Sequence, residues 1–180
     1  METLFRLTPV PATRPIGKPN GEAYFSRMGD NSEIGSKSND KTPAGSLIVA
    51  LVEDSILMRA HVAASLSAIK GVAEVRQADD VPSGLRLLET IKPDVLILDI
   101  ELPGRSGLGL LKIVRKQDAA VVIIMLTNYD EPEFRQRCAE FGANYFFNKS
   151  TEFLRVAEVC RELAARRAQQ AGSSPRTAQE

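Results

Sequence analysis

The chain has 180 residues, enough for one full domain with extensions. Hydrophobic residues make up 43% and charged residues 26%, close to the globular average, which excludes disorder of the whole chain. Lys plus Arg is 23 and Asp plus Glu is 23, so electrostatic capture of nucleic acid or of an anionic membrane is not expected as the main activity.

Residues 1–45 read as a disordered N-terminal extension. They hold Pro9, Pro11, Pro15, Pro19 and Pro43, separated by polar clusters such as Asp30-Asn31-Ser32. No apolar periodicity survives there, so too little surface can be buried to offset the entropy of ordering. Leu47–Val52 is a continuous aliphatic run, the mark of a strand buried on both faces. Ser55 to Ile69 carries Met58, Val62, Leu66 and Ile69 at helical spacing, and Gly71 stops that helix. Val72–Ala78 is a short strand, and Val81–Ile91 a helix with Leu85, Leu88 and Ile91 on one face. Val95–Ile100 is a second apolar strand, followed by a helix over Leu108–Lys116. Val121–Thr127 is a third apolar strand. The next helix, Asp130–Phe141, pairs Asp130 with Glu133 as a capping-box variant and has Pro132 in its first turn. Tyr145–Asn148 is a short strand. Thr151–Arg167 is an amphipathic helix with Phe153, Val156, Cys160 and Leu163 facing inward, and residues 169–180 read as a flexible tail.

Five strand–helix units therefore fill one domain, residues 46–168. Such alternation implies a parallel sheet covered by helices on both faces, an α/β doubly wound architecture. The apolar runs are far too short to span a bilayer, and no targeting segment is evident. Cys138 and Cys160 support neither a disulfide framework nor a zinc cluster; they are expected to face the core of a reduced, cytoplasmic protein. His61 stands alone and is expected to be structural or exposed. Arg155, Arg161, Arg166 and Arg167 read as a solvated face of the last helix.

In open α/β sheets, ligands bind beyond the carboxyl ends of the strands. The first strand ends at Glu53-Asp54, the third at Asp99, the fourth at Thr127 and the fifth at Lys149. Asp79-Asp80 ends the second strand, at the periphery. Three convergent carboxylates repel one another unless a cation neutralises them, and Mg²⁺ is the common oxygen-bound choice. One carboxylate can then serve as a nucleophile towards phosphorus. A lysine and a hydroxyl can bind phosphoryl oxygens in the transition state.

Four segments follow strands in this order: Leu-Val-Glu-Asp-Ser (51–55), Val-Leu-Ile-Leu-Asp-Ile-Glu-Leu-Pro-Gly-Arg-Ser-Gly (95–107), Ile-Met-Leu-Thr-Asn (124–128) and Gly-Ala-Asn-Tyr-Phe-Phe-Asn-Lys-Ser (142–150). Together with the alternation, they make the block resemble the receiver domain of two-component response regulators, of the single-domain, chemotaxis type. The resemblance implies a flavodoxin-like sheet of order 2-1-3-4-5. It implies Asp99 as phosphoacceptor, with Lys149 and Thr127 assisting. It implies Mg²⁺ held by Glu53, Asp54, Asp99 and the backbone carbonyl of Glu101. Thr127 and Phe146 would be the switch residues. Two departures stand out. Ser150 occupies the place of a usual cis-proline, and a non-proline cis bond costs roughly 2.5–4 kcal/mol, so the geometry at Lys149 is left open. Glu101 and Tyr129, each two residues beyond Asp99 or Thr127, flank the family's water path, which suggests slow phosphoryl loss.

The expected function is a phosphorylation-controlled switch. A sensor histidine kinase or histidine phosphotransfer protein donates to Asp99, and the added charge reshapes the face made by the fourth helix, fifth strand and fifth helix. No output domain follows the block, so the signal is expected to pass by contact with a downstream protein or through a homodimer. No nucleic-acid or membrane partner is expected, and no enzymatic activity beyond self-catalysed phosphorylation and dephosphorylation. Two alternatives are a receiver-like binding module that no longer uses phosphate, and a phosphohydrolase resembling the haloacid dehalogenases. The second is disfavoured because its nucleophile belongs to the first strand, where this chain carries its acidic pair.

Overall fold

The computed structural model describes residues 45–129 and 131–172. The expected extension over 1–44, the cap at Asp130 and the tail beyond 172 lie outside the described residues. Ten elements alternate: β1 Leu47–Val52, α1 Ile56–Ser67, β2 Val72–Ala78, α2 Val81–Thr90, β3 Val95–Leu98, α3 Gly107–Gln117, β4 Val122–Thr127, α4 Pro132–Glu140, β5 Tyr145–Asn148 and α5 Phe153–Gly172. The five strands form one parallel sheet in the order β2-β1-β3-β4-β5. This is the doubly wound architecture expected from the alternation, with the flavodoxin-like strand order that the resemblance implied.

The inner strands β1 and β3, and β4 as far as Thr127, are apolar because helices cover both faces, whereas the edge strand β2 carries Glu74, Arg76 and Gln77. Successive side chains point to opposite sides of the sheet. Ala50, Val52, Leu96, Leu98, Ile123 and Met125 pack on one side with Val81 of α2, Leu110 and Leu111 of α3 and Cys138 of α4. Val49, Leu51, Val95, Ile97, Ile124 and Leu126 pack on the other with Val62 and Leu66 of α1 and Val156 and Cys160 of α5. Both cysteines are free and buried, and burial pushes the Cys138 thiol up to about 11 and the Cys160 thiol to about 12. Among the described residues no helix is long and apolar enough to cross a membrane.

Several ends differ from the sequence reading. β3 stops at Leu98, because the carbonyl of Ile100 turns to accept from Gly107 N at 2.9 Å and closes a loop instead of a ladder. α4 begins at Pro132 with Glu131 as N-cap, whose side chain makes no capping bond; Glu133 sits in the first turn, where a carboxylate favours the helix dipole. α5 runs to Gly172, past Arg167, through the strong helix formers Ala168, Gln169, Gln170 and Ala171. Arg167 is no simple solvated residue, since it pairs with Asp94. Asp80 caps α2: its carboxylate accepts from Ser83 N at 2.6 Å, and Ser83 Oγ accepts from Asp80 N at 3.1 Å. Those Ser83 bonds hold the Asp80 carboxyl below its ordinary value.

At the amino edge of the sheet, Arg115 of α3 donates to Gly142 O, Asn144 Oδ1, Ala119 O and Val121 O at 2.8–3.0 Å. This guanidinium ties the ends of β4 and β5 together. The opposite, carboxyl edge is thereby left to the loops that carry the charged residues.

Candidate functional site

β1 delivers Glu53 and Asp54. Glu53 N donates to Ala78 O at 3.1 Å, so the chain is still held to β2 when it reaches the first acid. Ser55 then caps α1, its Oγ accepting from Met58 N. β3 delivers Asp99, whose N donates to Val52 O. β5 delivers Lys149, whose N donates to Thr127 O at 2.9 Å and ties that loop to β4. The side chain of Asn148 steadies the same loop by accepting from Ser150 N at 2.8 Å and Thr151 N at 3.2 Å, and Glu152 accepts from Asn148 N. Among the described residues no peptide bond is cis, so Lys149 is presented across a trans bond to Ser150.

These elements bring Lys149 together with residues 50 and 96 positions away. The Lys149 ammonium lies 2.7 Å from Glu53 Oε2 and 2.8 Å from Asp99 Oδ2. Glu53 is 1% exposed and Asp99 2%. Burial pushes the Glu53 carboxyl above its ordinary value, and the Lys149 hydrogen bond only partly offsets it. Burial alone would lower the Lys149 pKa, but the hydrogen bonds and charges of Asp99 and Glu53 outweigh it and raise it. Asp54 is exposed, yet one oxygen from each of Glu53, Asp54 and Asp99 lies within 4.8 Å of the others.

The donor set fits a divalent cation. Three carboxylates against one ammonium leave two negative charges in excess. Asp99 Oδ1 is buried and has no hydrogen-bond partner among the described residues, an orphaned acceptor of the kind that costs free energy until a ligand meets it. Oxygen ligands of this type suit Mg²⁺.

Thr127 is fully buried beside this group, with Oγ1 accepting from Tyr129 N at 3.3 Å. The Tyr129 hydroxyl donates to Glu101 Oε1 at 2.9 Å, and its ring stacks on Phe134 of α4. That bond to Glu101 raises the Tyr129 pKa. Phe146 is turned into the core at 5% exposure, under the Arg135 guanidinium, which also donates to Phe146 O at 3.2 Å.

Two contributors escaped the sequence reading. Gly107 lies against the backbone of Asp99: a Cβ built there would fall 1.8 Å from Asp99 O. Arg59 donates to the carbonyls of Glu53 and Asp54. A glycine opening a helix eight residues beyond the aspartate, and a lone arginine on α1, were the available signals.

Comparison with known proteins agrees with this geometry. Residues 49–161 match the family model described as response regulator receiver domain. The chain is 28% identical over 117 residues to the response regulator GacA of Pseudomonas aeruginosa, covering 65% of this chain and 55% of the relative. It is 34% identical over 67 residues to the DNA-binding transcriptional activator EvgA of Escherichia coli K12, covering 37% and 33%. The chain thus spans about half the length of the first relative and a third of the second. Among solved structures, the chemotaxis response regulator CheY4 of Vibrio cholerae shares 28% identity with a TM-score of 0.54, over 70% of this chain and 98% of that one. The signal receiver domain of the putative response regulator NarL from Mycobacterium tuberculosis shares 27% with a TM-score of 0.61, over 67% and 97%.

Proposed function

This chain belongs to the response regulator receiver-domain family, and from that premise we propose that it takes up a phosphoryl group on Asp99 from a phosphohistidine of a sensor histidine kinase or phosphotransfer protein. An Asp99 carboxylate oxygen attacks phosphorus, the P–N bond breaks, and an acyl phosphate forms on the side chain. The observation that carries this reading is the asymmetry of Asp99. One oxygen is held by Lys149, and the other is buried without a partner among the described residues.

The carboxylates of Glu53, Asp54 and Asp99, with the Glu101 backbone carbonyl, are the groups to hold Mg²⁺. When bound, the ion neutralises the acids and the incoming phosphoryl oxygens. Lys149 already stands on the acceptor and pairs with a phosphoryl oxygen as a point charge. Thr127 supplies a hydroxyl to another oxygen. Its movement, with Phe146, passes the change to the face of α4, β5 and α5. Output then proceeds by contact with a downstream protein or a second copy, within a unit that begins at β1 and closes with α5 at Gly172. Ile56 and Leu57 at the start of α1 and Leu154 at the start of α5 are exposed apolar side chains, and α1 meets α5 through His61 and Phe153. This patch suits a protein phosphodonor.

Incubation with acetyl phosphate and Mg²⁺ tests the reading by intact mass. A gain of one phosphoryl group in the wild type, absent in Asp99→Ala, is expected. No gain in the wild type would leave a phosphate-independent binding module; turnover of a phosphate ester would favour a hydrolase.

The Tyr129–Glu101 bridge places a ring and a carboxylate two residues beyond Thr127 and Asp99. A water attacking the acyl phosphate meets both, so the phosphoryl group is expected to persist. Loss of one hydrogen bond of about 1 kcal/mol corresponds to roughly fivefold in rate. Tyr129→Ala is expected to shorten the acyl-phosphate half-life by about that factor. A wild-type half-life of only seconds would contradict the expectation.

A further inference from the structure

Asp54 differs from its two partner acids. It is exposed, and among the described residues no hydrogen bond or ion pair anchors its carboxylate. Its place beside Glu53 and Asp99 is therefore set by its own backbone. Arg59, on the first turn and a half of α1, supplies that constraint. Its Nη1 donates to Glu53 O at 2.6 Å and to Asp54 O at 3.1 Å. The first carbonyl belongs to the peptide unit before the Asp54 Cα and the second to the unit after it. Fixing both planes fixes φ and ψ of Asp54 together. Arg59 is itself held in place, because its backbone N donates to Ser55 O in the capped first turn of α1.

We propose that Arg59 is a positioning residue for divalent-cation binding: by clamping the two carbonyls that flank Asp54, it keeps that carboxylate on the pocket. This rests on the reading of Glu53, Asp54 and Asp99 as a Mg²⁺ site. The sign of the effect separates positioning from plain electrostatics. A guanidinium near a cation site repels the cation, so removal of its charge alone would tighten Mg²⁺ binding. Loss of the clamp instead frees the Asp54 backbone, and ordering one residue costs about the free energy of a tenfold change in affinity.

Mg²⁺ binding is measured by titration calorimetry on the wild type, Arg59→Met and Arg59→Lys. Arg59→Met keeps the length of the side chain without donors. Its Mg²⁺ dissociation constant is expected to rise about tenfold. Arg59→Lys, which keeps the charge and some donors but not the planar fork, is expected to fall between. In acetyl-phosphate labelling, the Mg²⁺ concentration for half-maximal rate should rise in parallel, with the rate at saturating Mg²⁺ within about twofold of wild type. A folding defect would lower that saturating rate instead. Unchanged or tighter Mg²⁺ binding by Arg59→Met, with normal binding by the wild type, overturns the role of Arg59 alone. Absence of Mg²⁺ binding by the wild type overturns the metal site as well.

Discussion

Lys149→Met is expected to destabilise the fold by about 3–5 kcal/mol at neutral pH, because it removes the ammonium that pairs with the buried carboxylates of Glu53 and Asp99. Glu53 and Asp99 would face each other without compensation, in a site that already pushes the Glu53 carboxyl up through burial. Two conditions should restore part of the loss: lower pH, which protonates a carboxylate, and Mg²⁺, which replaces the missing charge. Urea denaturation at several pH values with and without Mg²⁺ checks this. The variant should gain more from Mg²⁺ than the wild type does. Labelling by acetyl phosphate should fall by about a hundredfold or more, the usual cost of removing one preorganised group from a developing oxyanion. The wild type should also lose stability as pH rises, but on its alkaline side. Lys149 binds its proton more tightly folded than unfolded, so its contribution is complete below the unfolded value of 10.5 and is lost as pH rises through the folded value. That alkaline loss should be missing from Lys149→Met. Equal stability of variant and wild type at pH 7 would mean that the three side chains do not form one charged cluster.

Gly107→Ala is the second large effect. The added Cβ would fall 1.8 Å from Asp99 O and 2.9 Å from Asp99 C, both backbone atoms. Neither can rotate away, so the β3–α3 loop must move as a unit. The Gly107 N to Ile100 O bond at 2.9 Å, which closes that loop, is strained at the same time. A loss of about 3 kcal/mol or more is expected, at the upper end of overpacking costs. The displaced peptide carries Asp99, the proposed acceptor, so labelling should drop in the molecules that remain folded. Gly109→Ala provides the control. It lies two residues further along α3, where an added Cβ meets nothing within 4 Å. Alanine there should stabilise by about 0.5–1 kcal/mol through helix propensity alone. Thermal denaturation of the pair reads both signs, and a neutral Gly107→Ala would show that the loop has room the geometry denies.

Much of the architecture was legible because each link in it is local. Leu47–Val52, Val95–Leu98 and Val122–Thr127 are apolar without alternation, which only a strand covered on both faces tolerates. Three acids, a threonine and a lysine at the strand ends were readable as one group, since a parallel sheet sends all its carboxyl ends to one edge. Helix starts were read less well. The Asp79-Asp80 pair looks like a strand-end acid cluster, but Asp80 is spent on the α2 cap with Ser83. α4 has Glu131 as its N-cap, and the Glu131 side chain makes no capping bond. Side chains that bind distant backbone carbonyls were invisible. Arg115 reaches Gly142 O across 27 residues, a contact that exists only after β4 and β5 are paired. The Tyr129–Glu101 bond spans 28 residues between two loops. Nor does periodicity report that Gly107 touches the Asp99 carbonyl, because that contact belongs to the closure of one loop.

Peptide mapping of protein labelled with acetyl phosphate and Mg²⁺, with the acyl phosphate trapped by hydride reduction before digestion, places the phosphoryl group directly. Modification at Asp99, with Glu53 and Asp54 untouched, is the result predicted from the orphaned oxygen of Asp99 and the ammonium on its other side. Modification at either member of the acidic pair, or at no carboxylate, would contradict it.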